Sequence, residues 1–360
     1  MSVVYKKLED VCEILDSRRV PITAKDRKAG TYPYYGANGL QDYVADYIFD
    51  DELVLLAEDG GNFGSKERPI AYRVSGKCWV NNHAHVLKAK PNMHVDYLCY
   101  ALMFYDTEGL VNGATRQKLT QAAMRQMVIP YRNMAEQLQI IEKISQIVGS
   151  IKKRKEELQL LDQLVKSRFI ELFGDPVRNS MGLPTEPMTT VCAIIDGDRG
   201  KNYPKQDEFS DTGYCLFLNA KNVTSTGFSF ENRMFITKEK DNALHNGKLK
   251  RGDVVLTTRG TLGNLAFYDD SVPFENVRIN SGMVILRMNK SVMTEVFFME
   301  QFKLQLQSIK GKIASGSAQP QLPISTMNKI RILLAPMALQ EQFAAFVEQT
   351  DKSKLCGKME

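Results

Sequence analysis

The sequence predicts an α+β fold in which two strand-rich globules repeat one framework and a long helix lies between them. The first observation is repetition, since residues 11–16 recur with small changes as residues 191–196. The second is a run of apolar residues at three- and four-residue steps over 133–174, which indicates a helix. The third is a set of short apolar runs bounded by Gly, Asn and Asp in both copies, which favours strands. The sequence therefore predicts two domains in a pseudo-twofold repeat, separated by a long antiparallel coiled coil.

The repeated framework extends to the end of each copy. The segment 134–137 returns as 337–340, and each opens a predicted helix. The run from Val54-Leu55 to Gly60 matches the run from Val255-Leu256 to Gly260. Further matched positions pair Asn81 with Asn280, Leu119 with Leu322, Met124 with Met327, and Ile129 with Ile332. Each copy is therefore predicted to run through mixed strands and helices into one terminal helix.

The predicted elements follow the same order in both copies. In the first copy we expect strands over 53–57 and 86–89 and a helix over 95–104. In the second we expect strands over 254–258, 267–268 and 283–287 and a helix over 292–306. We expect a twisted, partly antiparallel sheet in each globule. The predicted domains are 1–132, the first globule; 133–174, the central helix; 175–335, the second globule; and 336–360, a shorter second helix.

The central helix begins with a capping box, in which Asn133 is the cap and Glu136 lies three residues on. Gly174 and Pro176 end it. A helix of this length cannot bury its apolar stripe in one small globule, so it needs a partner helix. The partner is predicted to start near Met337. The residues expected at the seam are Leu138, Ile141, Ile144, Val148, Ile151, Leu158, Leu161, Val165, Phe343, Phe346 and Val347.

Composition is that of an ordinary globular protein, with 43% hydrophobic and 25% charged residues among 360. No apolar run approaches the length of about 18 residues that spans a bilayer, and the first residues lack a secretory signal, so we expect a cytoplasmic protein. The six cysteines form no CxxC pair, which favours buried free thiols over ligands or disulfides. The net charge of +5 permits nucleic-acid binding without requiring it.

Motifs for several kinds of chemistry are missing together. The chain has no phosphate-binding GxxxxGK[ST] loop, and it lacks the Asn/Asp-Pro-Pro-aromatic run with which an amino-methylating enzyme grips its target. His83 and His85 lie two apart on a predicted strand, so both should point to one face. A metal site there would need a third ligand, and none is close in the sequence. We predict no metal site and no catalytic residue in this chain.

Polar loops with glycines follow corresponding strands in the two copies. The first copy offers Asn62, Ser65 and Lys66, and the second offers Arg259, Thr261 and Asn264. Glycine lets the backbone approach a phosphate, and these side chains can contact bases or phosphates. The alternative is that both loops are tight surface turns, since a shared fold also repeats its turns.

Two further stretches are candidates for DNA contact. One precedes the segment that leads into each terminal helix, with Arg116, Gln117 and Lys118 in the first copy and Ser317, Gln319 and Gln321 in the second. The alternative there is a cap between loop and helix. The other is a basic stretch of the second copy that contains Arg199, Lys201, Asn202 and Tyr203. Its counterpart at 16–21 is also basic, and the alternative for both is a solvated surface.

Four segments in this order resemble the specificity subunit of type I restriction–modification enzymes over the whole chain. They are 134–137, 171–176, 191–200 and 257–263. The resemblance implies two target-recognition domains, each of which reads one half of a split, asymmetric site on double-stranded DNA. It also implies that the helices set the unread gap between the half-sites.

The same resemblance implies that the chain is non-catalytic and has protein partners. Two methylation subunits would dock on the helices and globules, and restriction subunits would join through them. S-adenosylmethionine, ATP and Mg²⁺ would then belong to the partner subunits, with no cofactor in this chain.

One departure from the family pattern concerns the second helix, which is usually about as long as the first. Here it is predicted only over 336–360. We therefore expect the seam at Leu138, Ile141, Ile144 and Ile147 to be exposed, or to be covered by a partner or a second copy. Two alternatives stay open on the sequence. One is a truncated, assembly-deficient subunit or recombination donor, and the other is a stand-alone DNA-modifying enzyme.

Overall fold

The computed structural model describes residues 3–113, 116–314 and 321–356. The chain divides into two compact units, Met1–Lys153 and Arg154–Glu360. The boundary between the units falls inside one long helix, so each half of that helix belongs to the unit on which it packs.

Unit 1 contains one large mixed sheet with helices. Its strands are β1 (Val4–Lys7), β2 (Cys12–Ile14), β3 (Ala29–Gly36), β4 (Gly39–Val44), β5 (Phe49–Ala57), β6 (Ala71–Val80), β7 (Ala84–Ala89), β8 (Val111–Asn112), β9 (Lys118–Leu119) and β10 (Val128–Tyr131). Its helices are α1 (Leu8–Val11), α2 (Val95–Met103), α3 (Gln121–Gln126) and the first half of α4 (Met134–Phe173). The sheet order is β2-β7-β5-β6-β3-β4, in which only β3 and β6 pair in parallel.

The second half of β5, residues 53–57, is apolar and buried because both faces of the sheet are covered there. Val54 and Leu56 pack in the core that includes α2. Leu53 and Leu55 point to the other face, where they pack with Phe49. Alternate residues of a strand point to opposite faces, so an unbroken apolar run is what a strand between two cores requires.

Unit 2 repeats this plan with a divided sheet. Its strands are β11 (Thr185–Pro187), β12 (Cys192–Asp196), β13 (Cys215–Leu218), β14 (Val223–Thr224), β15 (Gly227–Phe228), β16 (Phe235–Ile236), β17 (Asp253–Thr257), β18 (Leu265–Tyr268), β19 (Val277–Ile279), β20 (Met283–Met288) and β21 (Arg331–Leu333). Its helices are α5 (Met188–Val191), α6 (Lys238–Ala243), α7 (Glu295–Ala314), α8 (Ile324–Met327), α9 (Met337–Cys356) and the second half of α4. The main sheets have the orders β12-β20-β17-β18 and β16-β13-β19.

Strand registers confirm that the two units repeat one framework. Ile14 of β2 lies opposite Leu87 of β7, and Ile194 of β12 lies opposite Leu286 of β20. Both pairs are antiparallel, and in both units a four-residue helix precedes the first strand of the pair. The α+β class predicted from the sequence is confirmed in each unit.

The register also corrects one detail of the predicted repeat. Val54 lies opposite Leu87, and Val254 lies opposite Leu286. The counterpart of Val54 is therefore Val254, and the predicted match with Val255 is wrong by one residue. A shift of one residue moves every side chain to the other face of a sheet. Val254 and Val255 are adjacent in the second copy, so the sequence did not show which of them corresponds to Val54.

Most predicted elements are present, and two regions of unit 1 are additions. Four predicted strands lie within β5, β7, β18 and β20, and the fifth, 254–258, overlaps β17, which ends at Thr257. The predicted helices correspond to α2, α4, α7 and α9. The hairpin β3–β4 and strand β6 were not predicted. Proline in β3 and glycine in β6 weaken a strand signal, so tertiary pairing decides these segments.

Within unit 2, α9 packs antiparallel on the second half of α4. Phe343, near the start of α9, contacts the rings of Phe169 and Phe173 at centroid distances of 5.5 and 5.6 Å. At the other end, the guanidinium of Arg154 donates a 2.7 Å hydrogen bond to the carbonyl of Lys354. The predicted antiparallel pairing of the two helices is therefore confirmed along 154–173.

The predicted seam residues divide into covered and exposed groups. Val165 and Phe343 are buried, and Leu158, Leu161, Phe346 and Val347 are half-buried. By contrast, Leu138, Val148 and Ile151 are 48%, 49% and 52% exposed, so they do not pack in the described helix pair, and their predicted contact with a partner stays a prediction. The described contacts between α9 and α4 reach only as far as Arg154, which leaves these side chains without that partner.

The expected exposure of the seam is confirmed at two of its four positions. Leu138 and Ile147 are 48% and 59% exposed. Ile141 and Ile144 are half-buried, and Ile141 packs against the core of unit 1. An incompletely covered apolar stripe therefore runs along the first half of α4.

The cysteines that can be described are buried and free. Cys12, Cys78, Cys99, Cys192 and Cys215 form no disulfide, as predicted, while the side chain of Cys356 lies outside the described part of the chain. Burial raises the pKa of the Cys12 thiol to about 12, so this thiol stays protonated and unreactive. In the ranges that the structure describes, we find no helix with the length and hydropathy needed to span a membrane.

Candidate nucleic-acid interface

A buried polar cluster lies at one edge of the sheet of unit 1. Asp16 follows β2, Glu58 follows β5, and His85 is the second residue of β7. These strands are neighbours with alternating directions, so the three side chains meet. His85 is fully buried, and its Nδ1 lies 2.6 Å from a carboxylate oxygen of Asp16. Its Nε2 lies 2.9 Å from the carbonyl oxygen of Leu119, so both ring nitrogens face oxygen atoms of neighbouring segments.

Two cations balance the carboxylates of this cluster. Glu58 accepts a 2.6 Å bond from Arg19 and forms a 3.1 Å ion pair with Lys118. Burial opposes ionisation of both acids, but bonds from His85 to Asp16 and from Arg19 to Glu58 outweigh it, so the pKa of each carboxyl lies below its ordinary value. The cluster is therefore an ionised network in which each carboxylate has partners.

The prediction that no further metal ligand lies near the histidines is wrong in three dimensions, because the fold brings two carboxylates close to His85. Possible ligand atoms of Asp16, Glu58 and His85 lie within 4.8 Å of one another. They come from three separate segments, which is why the sequence did not bring them together. His83 precedes β7, is partly exposed and lies 3.2 Å from Asp59. The ring nitrogens of His85 are engaged in hydrogen bonds, so the cluster acts here as a connection between loops.

The polar cluster joins the two candidate loops of unit 1. The amide of Leu119 donates to the carbonyl of Glu58 at 2.8 Å, and the amide of Gly60 donates to the carbonyl of Gln117 at 3.1 Å. Arg116 pairs with Asp59 at 2.6 Å. The structure therefore brings the loop after β5 and the segment 116–118 into one surface, a proximity that was not predicted.

The predicted side chains of this surface have different roles. Arg116 and Lys118 are 59% and 50% exposed although each has an acidic partner, and Gln117 and Lys66 are exposed. The Asn62 amide instead donates to the carbonyl of Pro69, and the Ser65 hydroxyl accepts from the amide of Arg68. The polar atoms of Asn62 and Ser65 therefore shape the loop.

Unit 2 forms the corresponding loop with different side chains. The amide of Leu322 donates to the carbonyl of Thr258 at 3.1 Å, which repeats the bond between Leu119 and Glu58. Gly260 has a φ of +71° and Gly60 a φ of +67°, a left-handed conformation that glycine adopts without strain. The same turn therefore presents Asp59 in one unit and exposed Arg259 in the other.

The other candidates on this surface of unit 2 are partly structural. Thr261 is exposed, and so is Gln321, which precedes the Leu322 that bonds to this loop. Asn264 is half-buried, and its amide donates to the carbonyl of Val223 at 2.9 Å. Ser317 and Gln319 lie outside the described residues. Arg259, Thr261 and Gln321 are therefore the predicted side chains that unit 2 exposes along this loop.

The basic stretch of unit 2 combines exposed cations with side chains that bond or pack within the fold. The ring of Tyr203 is half-buried and packs edge-on against Phe217 at 5.6 Å, beside a small core cluster, and its predicted contact with DNA stays a prediction. The Asn202 amide donates to the carbonyl of Ala243. Arg199 pairs with Asp196 at 3.0 Å, and Lys201 is exposed.

Sequence reasoning missed the residues that fix these loops. Arg19 pairs with Asp16, and Arg199 pairs with Asp196, three residues apart in both units. This repeated spacing was a signal in the sequence, because each Asp ends the repeated segment 11–16 or 191–196. The part played by Glu58 had no such signal, since Thr258 stands at the equivalent position.

Comparison with known proteins gives a consistent result. A model of the type I restriction modification DNA specificity domain matches residues 2–161 and 189–356. A putative type I restriction enzyme specificity subunit of Haemophilus influenzae is 24% identical over 352 residues, which cover 96% of this chain and 87% of the relative. The MjaIX specificity subunit of Methanocaldococcus jannaschii is 20% identical, with 95% of this chain and 85% of the relative covered.

Two solved structures have the same fold. The S subunit of a type I restriction–modification system from M. genitalium superposes with a TM-score of 0.58 at 15% identity, covering 100% of this chain and 92% of that one. A second chain comes from a structure that addresses complex assembly and conformational transition of the type I restriction–modification system. It superposes with a TM-score of 0.52 at 14% identity, covering 100% of this chain and 93% of that one. Because the family model matches both copies of the repeated framework, the chain belongs to the type I restriction–modification DNA specificity family.

Proposed function

We propose that this chain is the DNA-reading, non-catalytic specificity subunit of a type I restriction–modification complex, and that each unit reads one half of a split, asymmetric site on double-stranded DNA. One observation carries this proposal. The same strand-and-loop framework occurs twice, with equivalent backbone bonds, but it presents Asp59 in one unit and Arg259 in the other. A shared frame that carries different side chains at equivalent positions is what reading two different base sequences requires.

The chemistry of the exposed side chains supports DNA as the target. The guanidinium of Arg259 can donate two hydrogen bonds to one guanine in the major groove. Arg116 is oriented by its 2.6 Å pair with Asp59, and Lys66, Lys118 and Lys201 are exposed, where they can contact phosphates. We infer that phosphate contacts position each unit and that the two loops choose the bases.

The helices support the second part of the proposal, which concerns spacing and partners. Helix α4 has 40 residues, so it is about 60 Å long and long enough to act as a ruler for the gap between half-sites. The exposed apolar side chains Leu138, Ile147, Val148 and Ile151 are a surface on which a methylation subunit can dock. We propose that two methylation subunits bind, that restriction subunits join through them, and that S-adenosylmethionine, ATP and Mg²⁺ are held by those partners.

Methylome sequencing tests the proposal. The chain is expressed with a methylation subunit of the type I family in a host that lacks such a system, and the same host without this chain is the control. We expect a new methylated motif in two parts with a fixed gap. Methylation of a continuous motif, or an unchanged methylome despite a co-purifying complex, would contradict the proposal. The purified chain alone should transfer no methyl group to DNA, and such a transfer would contradict its non-catalytic role.

A further inference from the structure

A buried glutamine fastens the start of α4 to the globule of unit 1. Gln137 is fully buried. Its side-chain oxygen accepts a 2.8 Å bond from the amide of His94, the residue before α2. Its side-chain nitrogen donates to the carbonyls of Asn92 at 3.0 Å and Arg132 at 2.8 Å. One side chain therefore joins the start of α4 to the loop before α2 and to the end of the strand segment that precedes α4.

The same arrangement occurs in unit 2. Gln340 is also fully buried, and its side-chain oxygen accepts a 2.9 Å bond from the amide of Thr294, the residue before α7. Its nitrogen donates to the carbonyls of Val292 at 3.0 Å and Ala335 at 2.8 Å. The two glutamines thus make the same three bonds to main-chain atoms, with closely similar lengths. We call each arrangement the glutamine clamp.

The glutamine clamp occurs in both units, whereas the side-chain cap at the start of the helix occurs in unit 1 and not in unit 2. In unit 1, Asn133 and Glu136 form a reciprocal capping box at the start of α4. In unit 2, Pro336 stands at the equivalent position, and it offers only its carbonyl to the first turn of α9. A cap stabilises a helix on its own, whereas the clamp connects the helix to another part of the fold. The two units therefore share the connection between helix and globule, although they differ in the helix cap.

We propose that Gln137 and Gln340 are positioning residues that fix the direction in which α4 and α9 leave their globules, and that they thereby set the gap over which the two half-sites are read. This inference rests on the proposed function. Apolar packing beside each clamp, by Ile140 and Ile141 in unit 1 and by Leu339 and Phe343 in unit 2, holds the helix close but is not directional. Hydrogen bonds are directional, so three of them on one amide define the angle.

Gap selectivity of DNA binding tests this role. Binding of the complex with methylation subunits is measured on duplexes that carry the native gap and on duplexes with the gap one base pair longer or shorter. Gln137→Leu keeps the size of the side chain but makes none of the three bonds. We expect the preference of the complex for the native gap to fall by about tenfold, the order expected for a lost buried hydrogen-bonding partner. Gln340→Leu should also lower this preference, because α9 packs through Phe343 on the second half of α4.

Asn222 provides a matched control. It is 1% exposed, and its amide also bonds three main-chain groups, since it accepts from the amide of Asn219 and donates to the carbonyls of Ser229 and Asn232. It ends a short 3-10 helix of unit 2, Ala220–Asn222, and its three hydrogen-bond partners belong to neither α4 nor α9. Asn222→Leu therefore removes an equivalent buried amide, and we expect a similar loss of thermal stability with an unchanged preference for the native gap.

The outcomes separate the two proposals. A wild-type complex that shows no gap preference overturns the proposed function, and the clamp proposal with it. A wild type that selects its gap, together with Gln137→Leu and Gln340→Leu variants that are folded and retain that selection, overturns the clamp proposal alone. A loss of selection in Asn222→Leu equal to that in the glutamine variants also overturns it, because general destabilisation then accounts for the effect.

Discussion

Arg259 is the residue on which the reading of one half-site is expected to depend most. It is exposed on a turn that Gly260 closes, and its own amide is fixed by a bond to the carbonyl of Gly282. The main chain is therefore rigid while the guanidinium reaches outward. This combination suits contact with a base edge, because the entropy lost on binding is confined to one side chain.

Arg259→Ala should weaken binding to the cognate duplex by about 1–3 kcal/mol and relax the choice of base at one position. The measurement is the Kd of the complex on the cognate duplex and on duplexes changed at single base pairs. Arg178→Ala is the control, since Arg178 is 85% exposed in the same unit and its removal changes the net charge equally. Equal losses in both variants, with no change in base choice, would show that only charge matters.

Asp16 is expected to give unit 1 a distinct acid sensitivity. Its bonds from His85 and from the amide of Val86 overcome burial and hold its pKa below the ordinary value of 3.8. A lowered pKa in the folded state means that these bonds stabilise the fold above that value and that the stabilisation is lost as the pH falls through the folded pKa.

Asp16→Asn should therefore be less stable than the wild type at pH 7, and the difference should shrink as the pH falls below about 4. Urea unfolding at pH 7, 5 and 3 measures it. Asp270→Asn, at a fully exposed position, should differ little from the wild type at any pH. A difference for Asp16→Asn that stays constant down to pH 3 would mean that its ionisation does not contribute.

At the scale of single elements, the end of α4 packs among aromatic rings in the core of unit 2. Phe173 is fully buried, and its ring lies 5.0 Å from Phe169, 4.6 Å from Phe297 and 5.6 Å from Phe343. Three helices, α4, α7 and α9, therefore meet at one side chain. Aromatic pairs with these separations contribute beyond the area that they bury.

Phe173→Ala should lower the free energy of unfolding of unit 2 by about 3–5 kcal/mol, because a cavity remains where the ring was. Leu164→Ala, on the same helix at a position 49% exposed, should change it by less than about 0.5 kcal/mol. Denaturant titration of both variants is the measurement. A small effect of Phe173→Ala would show that the remaining rings close the cavity.

Elements were predictable where their signal is local. Helix α4 carries helical periodicity on both sides of the charged stretch 152–157, and residues 53–57 of β5 are an unbroken apolar run, so both were predicted from the sequence. The hairpin β3–β4 was not predicted, because polar and apolar residues do not alternate regularly in its two strands. Its position depends instead on the pairing of β3 with β6. The burial of Tyr203 against Phe217 was missed for the same reason, since nothing near Tyr203 in the sequence indicates its neighbour.

At the scale of the whole molecule, the duplication made the candidate site partly predictable. Matching loops were identified because both copies contain them, and Arg259 and Arg116 are indeed exposed. The network of Asp16, Glu58 and His85 could not be derived, since it requires the order β2-β7-β5. Repetition shows which positions correspond, but it does not show which segments of one copy lie side by side.

An amide that bonds only to main-chain atoms places no demand on the kind of residue beside it. The residues whose main chain the two glutamine clamps contact are Asn92, His94, Arg132, Val292, Thr294 and Ala335. They have no chemical type in common between equivalent positions, yet the two joints are alike. A subunit that keeps one glutamine in each copy can therefore change the side chains beside it, so new recognition surfaces can arise on a rigid joint that stays the same.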